Sequence, residues 1–134
     1  MECVSRSSEK FIGFATSCDE NHSPESVLER TKGSFWITTG IYPQMLTISL
    51  VQPSNINKIK IVSSNIKTFL IETSPHTEPE NFELKYEKTL PHSGGQLQVT
   101  ELPLDDTYLH HVRLNIRSGY NHFVAVYDVL FDGK

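Results

Sequence analysis

The stretch from residue 110 to residue 118, HHVRLNIRS, alternates apolar and polar side chains along most of its length. Val112, Leu114 and Ile116 occupy every second position, and basic or amide side chains stand between them. A spacing of two is the spacing of side chains along one face of a β-strand. The stretch therefore predicts a strand with one face in a core and the other face toward solvent.

The same alternation recurs along the rest of the chain. Phe82, Leu84 and Tyr86 give the clearest pattern, and Leu97 and Val99 alternate with two glutamines. The other predicted strands lie at about residues 11–16, 46–50, 59–61, 67–73 and 121–131. Clusters of Pro, Gly, Ser and Asn separate these runs, as in proteins built from short strands and turns. The spacing predicts an all-β protein, an antiparallel β-sandwich of eight or nine strands.

One segment departs from this rhythm and predicts a short helix at residues 24–30. Ser23 is placed to cap the helix, and Pro24 suits its first position. Glu25 then complements the positive end of the helix dipole.

Length and charge narrow the classes of function. The 134 residues suit a single domain spanning 1–134, and 12 basic against 16 acidic residues give a net charge of −4. The basic residues are scattered, which argues against nucleic-acid binding. No apolar run approaches the roughly 18–20 residues that cross a bilayer, and the first residues lack the pattern of a signal peptide. We expect a soluble intracellular protein.

Residues for catalysis or transition-metal binding form no recognisable pattern. His110 and His111 are adjacent in a predicted strand, so their side chains point to opposite faces. Asp105 and Asp106 follow Pro103 and suit an exposed turn better than acid–base chemistry. The sequence carries no nucleophile elbow, P-loop or dinucleotide fingerprint. We expect that the protein is not an enzyme.

The last predicted strand is apolar on both faces. Val124 and Val126 lie on the face opposite to Phe123 and Ala125. A sandwich strand usually buries one face only, so the second face must be covered either by this chain or by a partner. The hypothesis of an interface makes Val124 and Val126 partner-binding residues.

Two stretches carry a resemblance to a known family. FATSCDENHSPE (14–25) followed by SFWITTGIYPQ (34–44) resembles the opening of discoidin-like, galactose-binding-like jelly-roll domains. More narrowly, these stretches with GGQLQ (94–98) and NHFVAV (121–126) resemble a family of small intraflagellar transport subunits.

This resemblance implies a function. It implies a non-catalytic subunit of intraflagellar transport complex B that forms a heterodimer with a Rab-like small GTPase. Such a subunit supports ciliary transport of signalling cargo and is expected in the cilium or flagellum and in the cytoplasm, with the GTPase and other complex B subunits as partners.

The resemblance also implies a calcium site in the opening loop. The positions that match the family's ligands are Ser26, Glu29 and Ser34. Two of them depart from the family pattern, because Glu29 replaces an aspartate and Ser34 replaces a threonine. Arg30, where a glycine is usual, adds a positive charge beside the ion. Whether Ca²⁺ binds therefore stays open.

An alternative function follows from the jelly-roll fold. Many such modules bind carbohydrate at their loop ends, where an exposed aromatic ring stacks on the sugar. Tyr42, Tyr120 and His122 are the candidate residues for a lectin-like site.

Overall fold

The computed structural model describes residues 10–16, 24–28, 35–38, 41–92, 94 and 96–133. These residues form seven β-strands and one short 3-10 helix, Pro24–Leu28. The strands are β1 (Lys10–Ala15), β2 (Trp36–Ile37), β3 (Gln44–Ser64), β4 (Ile66–Ser74), β5 (Glu83–Thr89), β6 (Gln98–Gly119) and β7 (Ala125–Gly133).

Two long strands, β3 and β6, run through both layers of the fold. The first half of β3 pairs with the second half of β6, from Gln44–Ile116 to Ser49–His111. After irregularities in the pairing, the second half of β3 pairs with the first half of β6. β1, β4 and β5 complete the first layer, and β7 and β2 complete the second.

All of these pairings are antiparallel, which confirms the predicted antiparallel β-sandwich. The strand count differs because two pairs of predicted strands are continuous. The runs near residues 48 and 60 are both parts of β3, and those near 98 and 114 are both parts of β6. Bulges, rather than turns, separate the two halves of each long strand.

The core between the layers consists mainly of aliphatic side chains and also contains Trp36 and Phe69. Its fully buried members from the strands include Ile12, Leu46, Ile48, Ile59, Ile61, Phe69, Ile71, Leu109 and Ile116. Burying each such side chain stabilises the fold by about 1.5–3 kcal/mol relative to exposure.

The 3-10 helix closes one side of this core. Val27 is buried, and the helix contacts β1, β2 and β7. A helix was predicted at residues 24–30; the structure has the tighter 3-10 form over Pro24–Leu28, and residues 29–30 lie outside the described part of the chain. In the described ranges, no helix has the length and apolar character needed to span a membrane.

Candidate binding surfaces

Val124 and Val126, the predicted partner-binding residues, lie in the core. Each has 0% of its surface exposed. The Val124 N–H donates to Thr38 Oγ1 at 2.9 Å, and its carbonyl accepts from the Thr38 N–H at 3.0 Å. Val126 pairs with Trp36 of β2. The prediction that these two valines contact a partner is therefore wrong, because this chain covers them itself.

A β-bulge explains why β7 is apolar at both odd and even positions. Val62 pairs with Asp128, but the next β3 residue, Ser63, pairs with Val126. Tyr127 is thus an extra residue, and the alternation of faces shifts by one position after it. Val126 before the bulge and Val129 after it both point into the core and are both buried.

The predicted calcium ligands fall mostly outside the described residues. Ser26 belongs to the 3-10 helix, whereas Glu29 and Ser34 lie outside the described part of the chain. In the part that the structure does describe, no three His, Cys, Asp or Glu side chains come together as a metal site. Calcium binding by Ser26, Glu29 and Ser34 stays a prediction.

Tyr42 and Tyr120, two of the three candidate sugar-binding residues, are engaged within the fold. The Tyr42 hydroxyl donates to the Asn121 carbonyl at 3.0 Å and lies against Gly119, where a Cβ would collide with it. Burial raises the pKa of the Tyr42 hydroxyl, so this group remains a neutral donor at physiological pH.

Tyr120 is held in a similar way. Its hydroxyl donates to the Leu90 carbonyl at 2.7 Å, the His92 ring packs against it with centroids 4.8 Å apart, and Lys67 Nζ lies 5.9 Å from its centroid. His122 is exposed on the neighbouring loop. The structure therefore places two of the three candidates as half-buried supports of the loops, and only His122 in the open.

The rings of His110 and His111 stack with their centroids 4.6 Å apart, so the prediction that these side chains point to opposite faces is wrong. His111 is a buried polar residue, which the alternation does not predict. It lies on β6 with 4% of its surface exposed, and its Nδ1 is 2.6 Å from Ser49 Oγ. Its Nε2 is 3.0 Å from the carbonyl of Thr77. Because a carbonyl only accepts, Nε2 carries the proton and Nδ1 accepts from the serine hydroxyl. Burial lowers the pKa of His111, and the bond to Thr77 partly offsets that effect.

An ion pair between β6 and β4 positions an arginine against the loop that covers His111. Arg113 Nε and one terminal nitrogen each donate to a carboxylate oxygen of Glu72 at 3.0 Å. The Arg113 guanidinium also lies 4.1 Å from the centre of the Phe82 ring, and Phe82 packs near His111. Bidentate geometry and ring stacking favour arginine at this position. The buried Ser49–His111 pair is thus part of a structural network that joins β3, β6 and the loop before β5.

The start of β6 inverts the alternation of apolar and polar side chains. This alternation places Leu97 and Val99 on one face, which would be the inner one, yet they are 57% and 59% exposed. Gln98 is buried instead: its Oε1 accepts from Ser63 Oγ at 3.1 Å and from the Ile66 N–H at 3.0 Å, and its Nε2 donates to the Ile66 carbonyl at 2.8 Å.

The junction between β3 and β4 explains this inversion. The chain turns there through Asn65, which has a φ of 69°, and leaves buried backbone groups that need both a donor and an acceptor. A glutamine amide offers both. Leu102 and Leu104 lie an even number of residues after Gln98, so they are on the same face of the strand, and both are buried. These two leucines are the feature of the sequence that predicts the inward orientation of Gln98.

The two antiparallel layers joined by the long strands β3 and β6 define a discoidin-like β-sandwich module. Two solved structures share this fold. A family 32 carbohydrate-binding module from Clostridium perfringens in complex with galactose matches with a TM-score of 0.76 at 16% identity, over 88% of this chain and 90% of that one. A second such module, from a family 31 glycoside hydrolase of the same species, has a TM-score of 0.79 at 17% identity, over 98% and 96%.

Similarity of sequence identifies the family. The Intraflagellar transport protein 25 homolog of Mus musculus is 38% identical over 120 residues, 90% of this chain and 84% of the relative. That of Homo sapiens is 37% identical over 131 residues, 98% and 90%. Intraflagellar transport protein 25 of Chlamydomonas reinhardtii is 32% identical over 86% of this chain and 56% of its own longer sequence. No protein-family model matches the chain. The chain belongs to the intraflagellar transport protein 25 family.

Proposed function

We propose that the chain is a non-catalytic subunit of intraflagellar transport complex B that acts as a binding module. It forms a heterodimer with a Rab-like small GTPase and supports transport of signalling cargo in the cilium or flagellum. The observation that carries this proposal is the 37% identity to the human transport protein over 98% of this chain. Membership of the complex also implies a cytoplasmic pool from which it assembles.

The chemistry of the described residues supports a binding role. The Ser49–His111 pair, which resembles a nucleophile beside a base, is buried and hydrogen-bonded within the first layer. Several large apolar side chains are exposed at the loop ends and at the start of β6, where they are available to contact a partner protein. These exposed residues include Ile41, Phe123, Leu97 and Val99.

Co-expression with a tagged Rab-like transport GTPase from the same organism tests the heterodimer. We expect the chain to be retained at a one-to-one ratio through affinity purification and to stay bound at micromolar concentration. A Rab GTPase of membrane traffic serves as the matched control and should retain none. Loss of the chain during washing, with the GTPase folded and nucleotide-bound, would contradict the proposal.

Carbohydrate binding is the second candidate, because a solved module of the same fold holds galactose. A glycan array distinguishes the two functions. A lectin would bind specific glycans and lose them on Tyr120→Ala, whereas we expect no glycan signal above that of an unrelated protein. Tyr120 is already packed between His92 and Lys67, which supports that expectation.

A further inference from the structure

The first half of β6 forms an edge of the second layer. Residues 98–107 pair with β3 on one side. β4 reaches β6 only between Gly119 and His111, so it does not cover this part. Within the part of the chain that the structure describes, no strand pairs with residues 98–103 on the side away from β3.

Pro103 shows which backbone groups point to this open edge. A proline has no N–H to give to β3, and the Pro103 carbonyl accepts a hydrogen bond from the Tyr86 hydroxyl, away from β3. The pairing is regular from Pro103 back to Gln98. Because the direction of backbone groups alternates along an antiparallel strand, the N–H and carbonyl of Val99 and Glu101 also point outward.

The side chains at the start of this edge are apolar, and no charged residue stands among them before Glu101. Val99 lies opposite Val62, and the exposed Leu97 precedes it. Natural sheets usually guard an edge with charges, irregularities or very short strands. The other edges follow that rule. β5 carries four charged residues, β1 has a register shift, and β2 has two residues.

Charge changes along the same edge. Glu101 follows Val99 on the outer face, and Asp105 and Asp106 follow at the bend of β6, all of them exposed. On the side toward β3, Glu101 lies opposite Lys60, and its carboxylate is 3.8 Å from Lys58 Nζ; the side chains of Lys58 and Glu101 are 41% and 51% exposed. Exposed pairs of this kind contribute little and exchange readily. The edge is thus apolar at Leu97 and Val99 and acidic from Glu101 onward.

We propose that the edge of β6 from Leu97 to Glu101 binds an extended segment of a partner protein by strand addition. The segment carries an aliphatic side chain beside Val99 and a basic side chain beside Glu101. Main-chain hydrogen bonds supply the affinity and these alternate side chains supply the specificity. A second copy of this chain fits less well, because its own edge offers no basic side chain to Glu101.

The probe is a synthetic peptide, acetyl-TKTKTVTVT-amide, which places lysine beside Glu101 and valine beside Val99 in an antiparallel pairing. It is titrated into ¹⁵N-labelled full chain to about 1 mM, the usual range for weak peptide binding. We expect the amides of Val99 and Glu101 to shift and to exchange with solvent at least about fivefold more slowly, because the peptide carbonyls accept from them. The peptide with glutamates in place of lysines should bind at least about threefold more weakly.

Two variants at one position separate backbone pairing from side-chain contact. Val99→Pro removes the outward N–H but takes nothing from the β3 pairing, as Pro103 already shows on the same strand. It should abolish the protection of Glu101. Val99→Thr keeps the N–H and should retain binding.

Three results would overturn the proposal. One is unchanged exchange at Val99 and Glu101 in the wild-type chain with 1 mM peptide, a result that does not depend on whether Val99→Pro folds. Another is equal binding by wild type and Val99→Pro. The third is a concentration-dependent dimer of the chain alone that Val99→Pro abolishes, since the edge would then serve a second copy.

Discussion

The start of β6 and its second half follow opposite rules, although they belong to one strand. In the second half, Val112, Leu114 and Ile116 face the core, as their alternation predicts. In the first half the polar Gln98 faces inward and the apolar Val99 faces solvent. Alternation thus predicts that a segment is a strand, but the partners available to buried polar groups determine which face is turned inward.

The largest expected effect is a difference between two leucines. Leu114→Ala should lower the free energy of unfolding by about 3 kcal/mol, because it leaves a cavity in the core. Leu97→Ala, the same change at the exposed residue just before β6, should stay within about 0.5 kcal/mol of wild type. Urea unfolding at pH 7.5 measures both. Equal losses would mean that Leu97 is buried in solution and that the inversion is absent.

The next largest effect tests whether the hydrogen bonds of Gln98 cause the inversion. Gln98→Leu should cost about 2 kcal/mol, since the Ile66 N–H and the Ser63 hydroxyl lose their acceptor in a buried place. Gln52→Leu, at an exposed position of β3, is the matched control and should change stability by less than about 0.5 kcal/mol. A Gln98→Leu chain as stable as wild type would show that the hydrogen bonds of Gln98 do not cause the inversion.

A smaller effect on stability comes from His111, which is buried on the outer face of the second half of β6. Its pKa is lower in the folded chain than in the unfolded chain, so between these two values the unfolded state binds more protons. Stability should therefore fall as the pH falls below the unfolded value of about 6.5, and it should level off below the folded value.

The measurement compares urea unfolding at pH 7.5 and pH 5.5. His111→Gln should lose part of the pH dependence, whereas His122→Gln, at an exposed loop position, should keep it. The same pH dependence in wild type and His111→Gln would show that His111 does not titrate as its burial requires.

The smallest effect lies outside β6, in the opening loop. If Ser26, Glu29 and Ser34 bind Ca²⁺, 1 mM calcium should raise the melting temperature by about 3 °C over chelator, because a ligand of the native state stabilises it. Glu29→Gln should abolish the shift and magnesium should not reproduce it. An unchanged melting temperature in wild type would contradict the prediction that Ser26, Glu29 and Ser34 bind Ca²⁺.

The sequence predicts the architecture well and the orientation of side chains less well, for a physical reason. Periodicity identifies the strands and the antiparallel sandwich, but it carries no signal for the extra residue of a bulge. Tyr127 shifts the faces of β7, and Lys85 does the same in β5, where Tyr86 pairs with Ile71 and Leu84 pairs with Glu72. Leu84 is exposed as a result, although the alternation at 82–86 is the clearest in the chain.

The candidate surfaces divide in the same way. The resemblance of residues 14–25 and 34–44 predicts the family, because these stretches depend on local sequence. The burial of His111 depends on Thr77 and Phe82, which are far away in the chain. The burial of Gln98 depends on the junction of β3 and β4 at Asn65. Contacts of this kind leave no pattern in the local sequence. Only Leu102 and Leu104 indicate that Gln98, rather than Val99, faces the core.

The proposed heterodimer joins this β-sandwich to a Rab-like transport GTPase. Size-exclusion chromatography with light scattering tests it directly, on the purified chain, the GTPase and their equimolar mixture at about 10 μM, well above the Kd of a stable complex. We predict one peak whose mass is the sum of 15.2 kDa and that of the GTPase. Two separate peaks at the masses of the individual proteins would contradict the proposed heterodimer.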